Sequence, residues 1–138
     1  MDQATTMKPR TAYELLGGRA VVRSIVDRFY DLMEADTAYA ELRAMHAADL
    51  TPMRDSLTGF LVAWLGGPRD WFEERPGRCM MSAHRGVTMT QPTARQWADA
   101  MTRAVSEGVE DIGADPALTA KMAEALAGMA LNMGGVRV

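Results

Sequence analysis

The sequence is poor in the residues that build disulfides and metal clusters. It contains one cysteine, Cys79, and two histidines, His46 and His84, among 138 residues. A single cysteine excludes an intramolecular disulfide and a cysteine-rich zinc site, and it is typical of proteins in a reducing compartment. We therefore expect the protein in the cytoplasm, and we expect any metal ion to be bound by groups other than clustered thiolates.

Long apolar runs and excess positive charge are also absent. No window approaches about 18 uninterrupted apolar residues, so no membrane partner is expected, and the first ten residues lack the apolar stretch of a signal peptide. The 15 basic and 18 acidic side chains give a net charge of −3, which argues against a nucleic-acid partner. We expect a flexible arm over residues 1–10, followed by a single domain over residues 11–138.

The motifs of several catalytic classes are missing as well. The sequence has no phosphate-binding P-loop, no GxGxxG after a strand, no HExxH and no cysteine beside a plausible general base. Hydrolytic chemistry therefore has little basis here. No stretch alternates as a strand over more than a few residues, so we predict an all-α fold.

Apolar residues recur at three- and four-residue spacing, which is the pattern of amphipathic helices. We predict helices over residues 12–16, 19–35, 38–45 and 116–133, with a further helical turn within residues 69–78. Another helix follows Asp49 or Thr51 and ends at the glycine pair 66–67, and a long one starts at Thr90 or Thr93, with Pro92 in its first turn, and runs to about residue 108. The glycine pairs at residues 17–18 and 66–67 end two of these helices, because glycine permits left-handed backbone. Thr11 is expected to cap the first helix, and either Asp49 or Thr51 the fourth.

The same spacing predicts which side chains face inward. The inward residues of helix 19–35 are Val22, Ile25, Val26, Phe29, Leu32 and Met33; those of the next two helices are Tyr39, Leu42, Met45, Met53, Leu57, Phe60, Leu61 and Trp64. Tyr30 flanks the first stripe, so its hydroxyl is expected near the edge of the buried surface. Trp97 and Met101 are expected to face inward from helix 90–108.

His84 is the residue of greatest chemical interest, because it closes the short apolar run 79–83 just before Gly86. A histidine at a helix end can direct one ring nitrogen into a cavity while backbone holds the other N–H, as in metal-bound imidazoles. It can equally be a structural cap in a cofactor-free interaction domain. An all-α domain with 12 methionines and such a histidine suits an iron porphyrin, which needs one strong axial ligand, an apolar slot and a few polar donors.

The order and spacing of several short motifs resemble a truncated haemoglobin of group II over roughly residues 11–133. The matching features are Gly17-Gly18, RFYDLM at 28–33, DL at 49–50, GGP at 66–68, His84, and Trp97 thirteen residues after it. This resemblance implies a shortened two-over-two helical sandwich that binds haem b. In that sandwich, the helices of Tyr30 and Leu57 would cross the pair formed by the Trp97 helix and the C-terminal helix.

The resemblance also implies roles for individual residues. His84 matches the proximal ligand of the haem iron, while Tyr30 and Trp97 match distal hydrogen-bond donors. His46 falls at the third polar distal position, where histidine is a less common choice. The remaining expected haem contacts are Met53, at the distal-histidine position of ordinary globins, with Leu57, Phe60, Met80 and Met101.

One segment departs from the family pattern. Group II members commonly carry an arginine-rich run before the proximal histidine, whereas here that run is Met80-Met81-Ser82-Ala83. The haem propionates would then pair with Arg54, Arg78 or Arg85. The implied function is binding of O₂, and of NO, CO or sulfide, by a monomer or weak homodimer served by a reductase partner. Transport, sensing, and peroxidase or NO-dioxygenase activity all stay open at this point.

Overall fold

The computed structural model describes residues 10–74, 90–110 and 112–133, and the regular structure within these ranges is helical throughout. Helices α1 to α7 span Ala12–Leu16, Arg19–Ala35, Ala40–Ala44, Thr51–Trp64, Asp70–Glu73, Gln91–Gly108 and Pro116–Met133, with a 3₁₀ turn at Thr37–Tyr39 before α3. The all-α prediction is confirmed. His84 and Met80 lie outside the described residues, as do Arg78, Arg85 and residues 1–9 of the predicted arm.

The core forms around α2, whose predicted apolar stripe is buried along its length. Val22, Ile25, Val26 and Phe29 have no exposed surface at all. One side of α2 packs against α4 and another against α6, while α6 packs along α7. Two helix pairs, α2 with α4 and α6 with α7, therefore enclose one core.

The short helix α1 covers the C-terminal end of α4. Thr11 and Glu14 form the expected capping box, and the backbone N–H of Tyr13 donates to the carbonyl of Leu65 over 2.9 Å. Gly67 lies so close to the Tyr13 ring that an added Cβ would stand 2.8 Å from ring carbons. The glycine is therefore needed for this close approach of backbone to ring.

The segment between α2 and α4 differs from the sequence prediction. It starts with the 3₁₀ turn, because the Asp36 carboxylate accepts from the backbone N–H of Ala38 over 2.9 Å and begins the helical turn early. Tyr39 and Leu42 are buried as predicted. The prediction that Met45 faces inward is wrong: α3 ends at Ala44, and Met45 is 38% exposed in the following turn.

The starts of the two long helices α4 and α6 are built differently. Thr90 caps α6 with a reciprocal capping box that includes Thr93. Helix α4 has Leu50 at its N-cap position and no side-chain cap there, although the Asp49 carboxylate accepts from the backbone N–H of Thr51 over 3.0 Å. Across the described ranges, the helices lack the combination of length and hydropathy that crossing a bilayer requires.

Candidate ligand-binding site between α2, α4 and α6

Tyr30 lies deeper than its position beside the apolar stripe of α2 suggests. The prediction of an edge position is wrong, because only 3% of the residue is exposed. Phe29 packs on it edge to face with ring centres 4.9 Å apart, and the guanidinium of Arg54 lies 5.6 Å from its ring centre. Burial raises the pKa of the Tyr30 phenol to about 12, and the nearby charge of Arg54 opposes that shift. Tyr30 therefore keeps its proton, and with it the capacity to donate a hydrogen bond, at neutral pH.

His46 follows α3 and stands edge-on to Tyr30, with ring centres 5.9 Å apart and planes at 80°. Its Nδ1 lies 2.9 Å from the carbonyl oxygen of Leu42. A carbonyl only accepts, so Nδ1 must carry the proton in this contact. In the neutral ring Nε2 is then an acceptor, and it becomes a donor only when the imidazole is protonated.

Trp97 reaches the same region from α6 and is half-buried. Its ring packs edge to face on Phe29, with ring centres 5.2 Å apart. Phe29 has no exposed surface and touches both Tyr30 and Trp97. The structure thus brings the three predicted distal side chains, from three separate parts of the chain, to one region around Phe29.

Helix α4 presents two different apolar surfaces. Leu61 and Val62 are fully buried and belong to the core cluster that includes the apolar stripe of α2. At helical spacing, a second stripe contains Met53, Leu57, Phe60 and Trp64. In this stripe Leu57, Phe60 and Trp64 are only partly buried and Met53 is 40% exposed. Met101 on α6, which the sequence also predicted at the site, is completely enclosed by protein.

Phe60 connects this second stripe to α5. Its ring centre lies 5.4 Å from that of Trp71 and 5.9 Å from that of Phe72. Trp71 is buried, and its indole N–H donates to the Ser56 hydroxyl over 3.1 Å. This aromatic cluster holds α5 against α4 and limits how far Phe60 can move.

Arg54, one of the three candidate partners for haem propionates, lies on α4, and its guanidinium is bound to acidic groups of α2. It donates to the Asp27 carboxylate over 3.0 Å, to the Asp27 carbonyl over 3.1 Å, and to the Asp31 carboxylate over 2.9 Å. Three of its five N–H donors are thereby directed to the neighbouring helix, so the guanidinium links α4 to α2.

A separate cleft of about 530 Å³ opens on another side of α4. It is lined mainly by polar and charged residues, among them Arg19, Asp55 and Asp70, and it includes Trp71. None of the predicted site residues that the structure describes lines this cleft. A flat apolar ligand would find few matching surfaces there, so we place the candidate site on the Tyr30 side of α4.

Comparison with known proteins agrees with this geometry. Residues 11–133 match the profile of the family described as bacterial-like globin. A truncated haemoglobin from the Antarctic bacterium Pseudoalteromonas haloplanktis superimposes with a TM-score of 0.82 at 30% identity, covering 91% of this chain and 98% of that one. A group II 2-on-2 haemoglobin from Agrobacterium tumefaciens gives a TM-score of 0.84 at 27% identity, covering 94% and 97%. The predicted two-over-two fold is confirmed.

A curated relative is similar over a shorter part of its own length. The group 1 truncated haemoglobin from Chlamydomonas moewusii is 27% identical over 108 residues, which is 78% of this chain. The matched region spans only 58% of that relative. The resemblance to truncated globins is therefore confirmed by sequence and by structure, and the solved neighbours include group II proteins.

Proposed function

This chain belongs to the bacterial-like globin family, and on that premise we propose that it binds O₂ at a haem b held by His84. Membership of the family implies haem binding in general. The proximal ligand, the distal donors and the choice of gas are our proposal. Haem, when bound, supplies an iron that accepts diatomic ligands, and the side chains around it set how tightly they are retained.

The described residues suit a haem. A haem needs an extended apolar surface with a few polar groups beside it. The second stripe of α4 provides Met53, Leu57 and Phe60, which are incompletely buried although apolar. The polar groups are few: Tyr30 and Trp97 both pack on Phe29, and the Tyr30 ring also lies beside Arg54 of α4. We propose that this stripe contacts one face of the haem.

The burial of Tyr30 is the observation that carries the proposal. A phenol with 3% exposure and a pKa of about 12 stays protonated at neutral pH. Such a hydroxyl has little competition from bulk water and can donate to a polar diatomic ligand. We propose that Tyr30 is the principal distal donor and that the indole N–H of Trp97 is the second.

His46 would modulate this pair in our proposal. Its contact with Leu42 leaves Nε2 as an acceptor when the ring is neutral. The ring can then orient the Tyr30 hydroxyl or a water molecule, and it gains a second donor in acid. We therefore propose that the rate of O₂ dissociation depends on pH more strongly than it would with phenylalanine at position 46.

Other features of the proposal rest on the sequence. The combination of Tyr30 with Trp97 favours group II over group 1, and NO, CO and sulfide are expected as further ligands. The single cysteine favours a reducing compartment, so we propose the cytoplasm. A reductase partner and weak self-association stay predictions.

The two histidines allow a direct test of the haem assignment. Purified protein reconstituted with haem should show a Soret band. His84→Gly should lose the spectrum of the ligated haem, and added imidazole should partly restore it by replacing the missing ligand. His46→Phe serves as the matched control and should retain a ligated spectrum. An unaltered spectrum in His84→Gly would remove His84 as the ligand, and no Soret band in the unmodified protein would favour a cofactor-free domain.

A further inference from the structure

Arg54 is the charged side chain that packs on Tyr30 from the neighbouring helix. Its guanidinium carbon lies 5.6 Å from the centre of the Tyr30 ring, within the range of a cation–π contact. Its side chain is only 17% exposed, whereas the side chains of its partners Asp27 and Asp31 are 41% and 58% exposed. The guanidinium is therefore less exposed than the carboxylates that bind it, and it lies beside the phenol ring.

The acidic partners fix the guanidinium in place. Asp27 and Asp31 are one helical turn apart on α2, and Arg54 donates to both carboxylates as well as to the Asp27 carbonyl. The planar guanidinium can satisfy these acceptors at once while it stays within cation–π range of the ring. A lysine ammonium has the charge but lacks this planar arrangement. We therefore expect lysine at position 54 to reproduce the contact with Tyr30 only in part.

We propose that Arg54 is a positioning residue for Tyr30. From α4 it fixes the position of the phenol ring of α2, and it strengthens the hydroxyl as a donor toward the diatomic ligand. This inference rests on the proposed role of Tyr30 as a distal donor. It assigns the α4 arginine to ligand retention and not to the haem propionates. The positive charge beside the ring also opposes the effect of burial on the phenol pKa, as expected for a group that makes the O–H a better donor.

Arg23 provides a matched control on the same two helices. It donates to the Asp27 carboxylate over 3.0 Å and to the Asp55 carboxylate over 2.7 Å, so it also bridges α2 and α4. Its contacts are with these carboxylates and not with the Tyr30 ring. Arg23→Met removes a comparable inter-helix ion pair and leaves Arg54 on the phenol.

Ligand dissociation rates in the haem-loaded protein test the functional part. We expect Arg54→Met to speed O₂ release about threefold to tenfold, with CO release changing less than about twofold. Arg23→Met should change O₂ release by less than about twofold. In a Tyr30→Phe background, Arg54→Met should add almost nothing, since the residue acts through the phenol. Equal acceleration of O₂ and CO, or an undiminished effect in the Tyr30→Phe background, would overturn the proposal.

Tyrosine NMR provides a readout independent of O₂. The chain has three tyrosines, so ¹³C-tyrosine labelling of the reduced, CO-saturated protein gives few signals, and Tyr30→Phe identifies those of Tyr30. Arg54→Met should shift the Tyr30 ring signals and leave those of Tyr13 and Tyr39 in place. Arg54→Lys should shift the Tyr30 signals less than Arg54→Met does, because it keeps the positive charge. If Arg54→Met does not fold, the Tyr30 signals of Arg54→Lys are compared with those of the unmodified protein. Unshifted Tyr30 signals would overturn the contact.

The two proposals fail in different ways. If Tyr30→Phe leaves O₂ release unchanged, Tyr30 is not a distal donor and the proposed function loses its main support. If Tyr30→Phe accelerates O₂ release while Arg54→Met does not, the proposed function stands and the role of Arg54 is refuted.

Discussion

Tyr39 donates a hydrogen bond of 2.5 Å to the Asp99 carboxylate, which joins the 3₁₀ turn to α6. Arg103, one turn further along α6, donates to the Tyr39 hydroxyl over 3.1 Å and to the Asp36 carboxylate over 3.0 Å. The segment that leads to His46 is thereby attached to the helix that carries Trp97. This one network therefore connects the parts of the chain that carry two of the three candidate distal side chains.

Removing the Tyr39 hydroxyl should weaken this attachment. Tyr39 is 2% exposed, and its hydroxyl is both a donor to Asp99 and an acceptor from Arg103. We expect Tyr39→Phe to lower the free energy of unfolding by about 1–2 kcal/mol, as measured by urea denaturation. Tyr13→Phe, which removes a phenol hydroxyl from α1, is the control and should cost less. Equal losses in the two variants would mean that the network contributes little to stability.

The carboxylate of Asp36 should make the free energy of unfolding depend on pH in the acid range. Its bond with the Ala38 N–H, followed by that with Arg103, holds its pKa below the ordinary value of 3.8. A carboxyl whose folded pKa is depressed stabilises the fold above its unfolded pKa, and that contribution disappears as pH falls through the folded value. Asp36→Asn should therefore be less stable than the unmodified protein at pH 6, and the difference should shrink below pH 3.8. A difference that is constant from pH 6 to pH 2 would contradict this linkage.

Tyr30 and Trp97 should retain O₂ more strongly than CO. If each donor contributes through a charge-assisted hydrogen bond, its loss changes O₂ affinity by about tenfold to hundredfold. Most of the change should appear in the dissociation rate, because the donors act after the ligand is bound. Carbon monoxide is less polar when bound and should respond less.

Four proteins suffice for this measurement. They are the unmodified chain, Tyr30→Phe, Trp97→Phe and the double variant, compared by stopped-flow dissociation of O₂ and CO. The double variant should be less than additive, since both donors share one acceptor. If O₂ and CO are released faster by equal factors, the two side chains restrict the pocket sterically and do not act as donors.

Alanine substitutions at three glycines allow the stability cost of left-handed backbone to be separated from the cost of steric crowding. Gly17 has φ of 125°, and an added Cβ would stand 2.6 Å from a Val21 methyl, whereas Gly113 has φ of 75° and open space around it. We expect Gly113→Ala to cost about 1–2 kcal/mol through strain alone, and Gly17→Ala to cost more. Gly128 lies within α7 with nothing within 4 Å of an added Cβ, so Gly128→Ala should stabilise by about 0.5–1 kcal/mol. Thermal unfolding of the three variants tests this order.

Most helix bounds could be predicted because their signals are local. The apolar stripe and the preceding glycine pair defined Arg19–Ala35, and the two candidate caps Thr90 and Thr93, with Pro92 between them, marked the start of α6, which the structure places at Thr90. The bounds predicted for the 38–45 helix are less accurate, because the bond of the Asp36 side chain begins a 3₁₀ turn where the sequence predicts an α-helix. Met45 was misplaced because the helix ended one residue before it.

The contacts of the candidate site could be predicted less well from the sequence, because they join distant parts of the chain. Tyr30 and Trp97 were recognised through the family resemblance, yet the depth of Tyr30 depends on Phe29 and Arg54 packing around it. The carboxylates that bind Arg54 were not predicted, since they lie more than 20 residues earlier, on α2. A signal was present in the acidic residues spaced by four on α2, but spacing alone does not show which arginine meets them.

Because α1 docks on the end of α4, the backbone amide of Tyr13 can report on the movement of α4. A five-residue helix is too short to persist alone in water, so the Tyr13 amide is protected from hydrogen exchange only while it is bonded to Leu65. The exchange rate of this single N–H therefore measures how often the C-terminal end of α4 separates from α1. Because α4 also carries Leu57 and Phe60, that rate would record, without any label at the pocket, whether ligand binding tightens or loosens the helix.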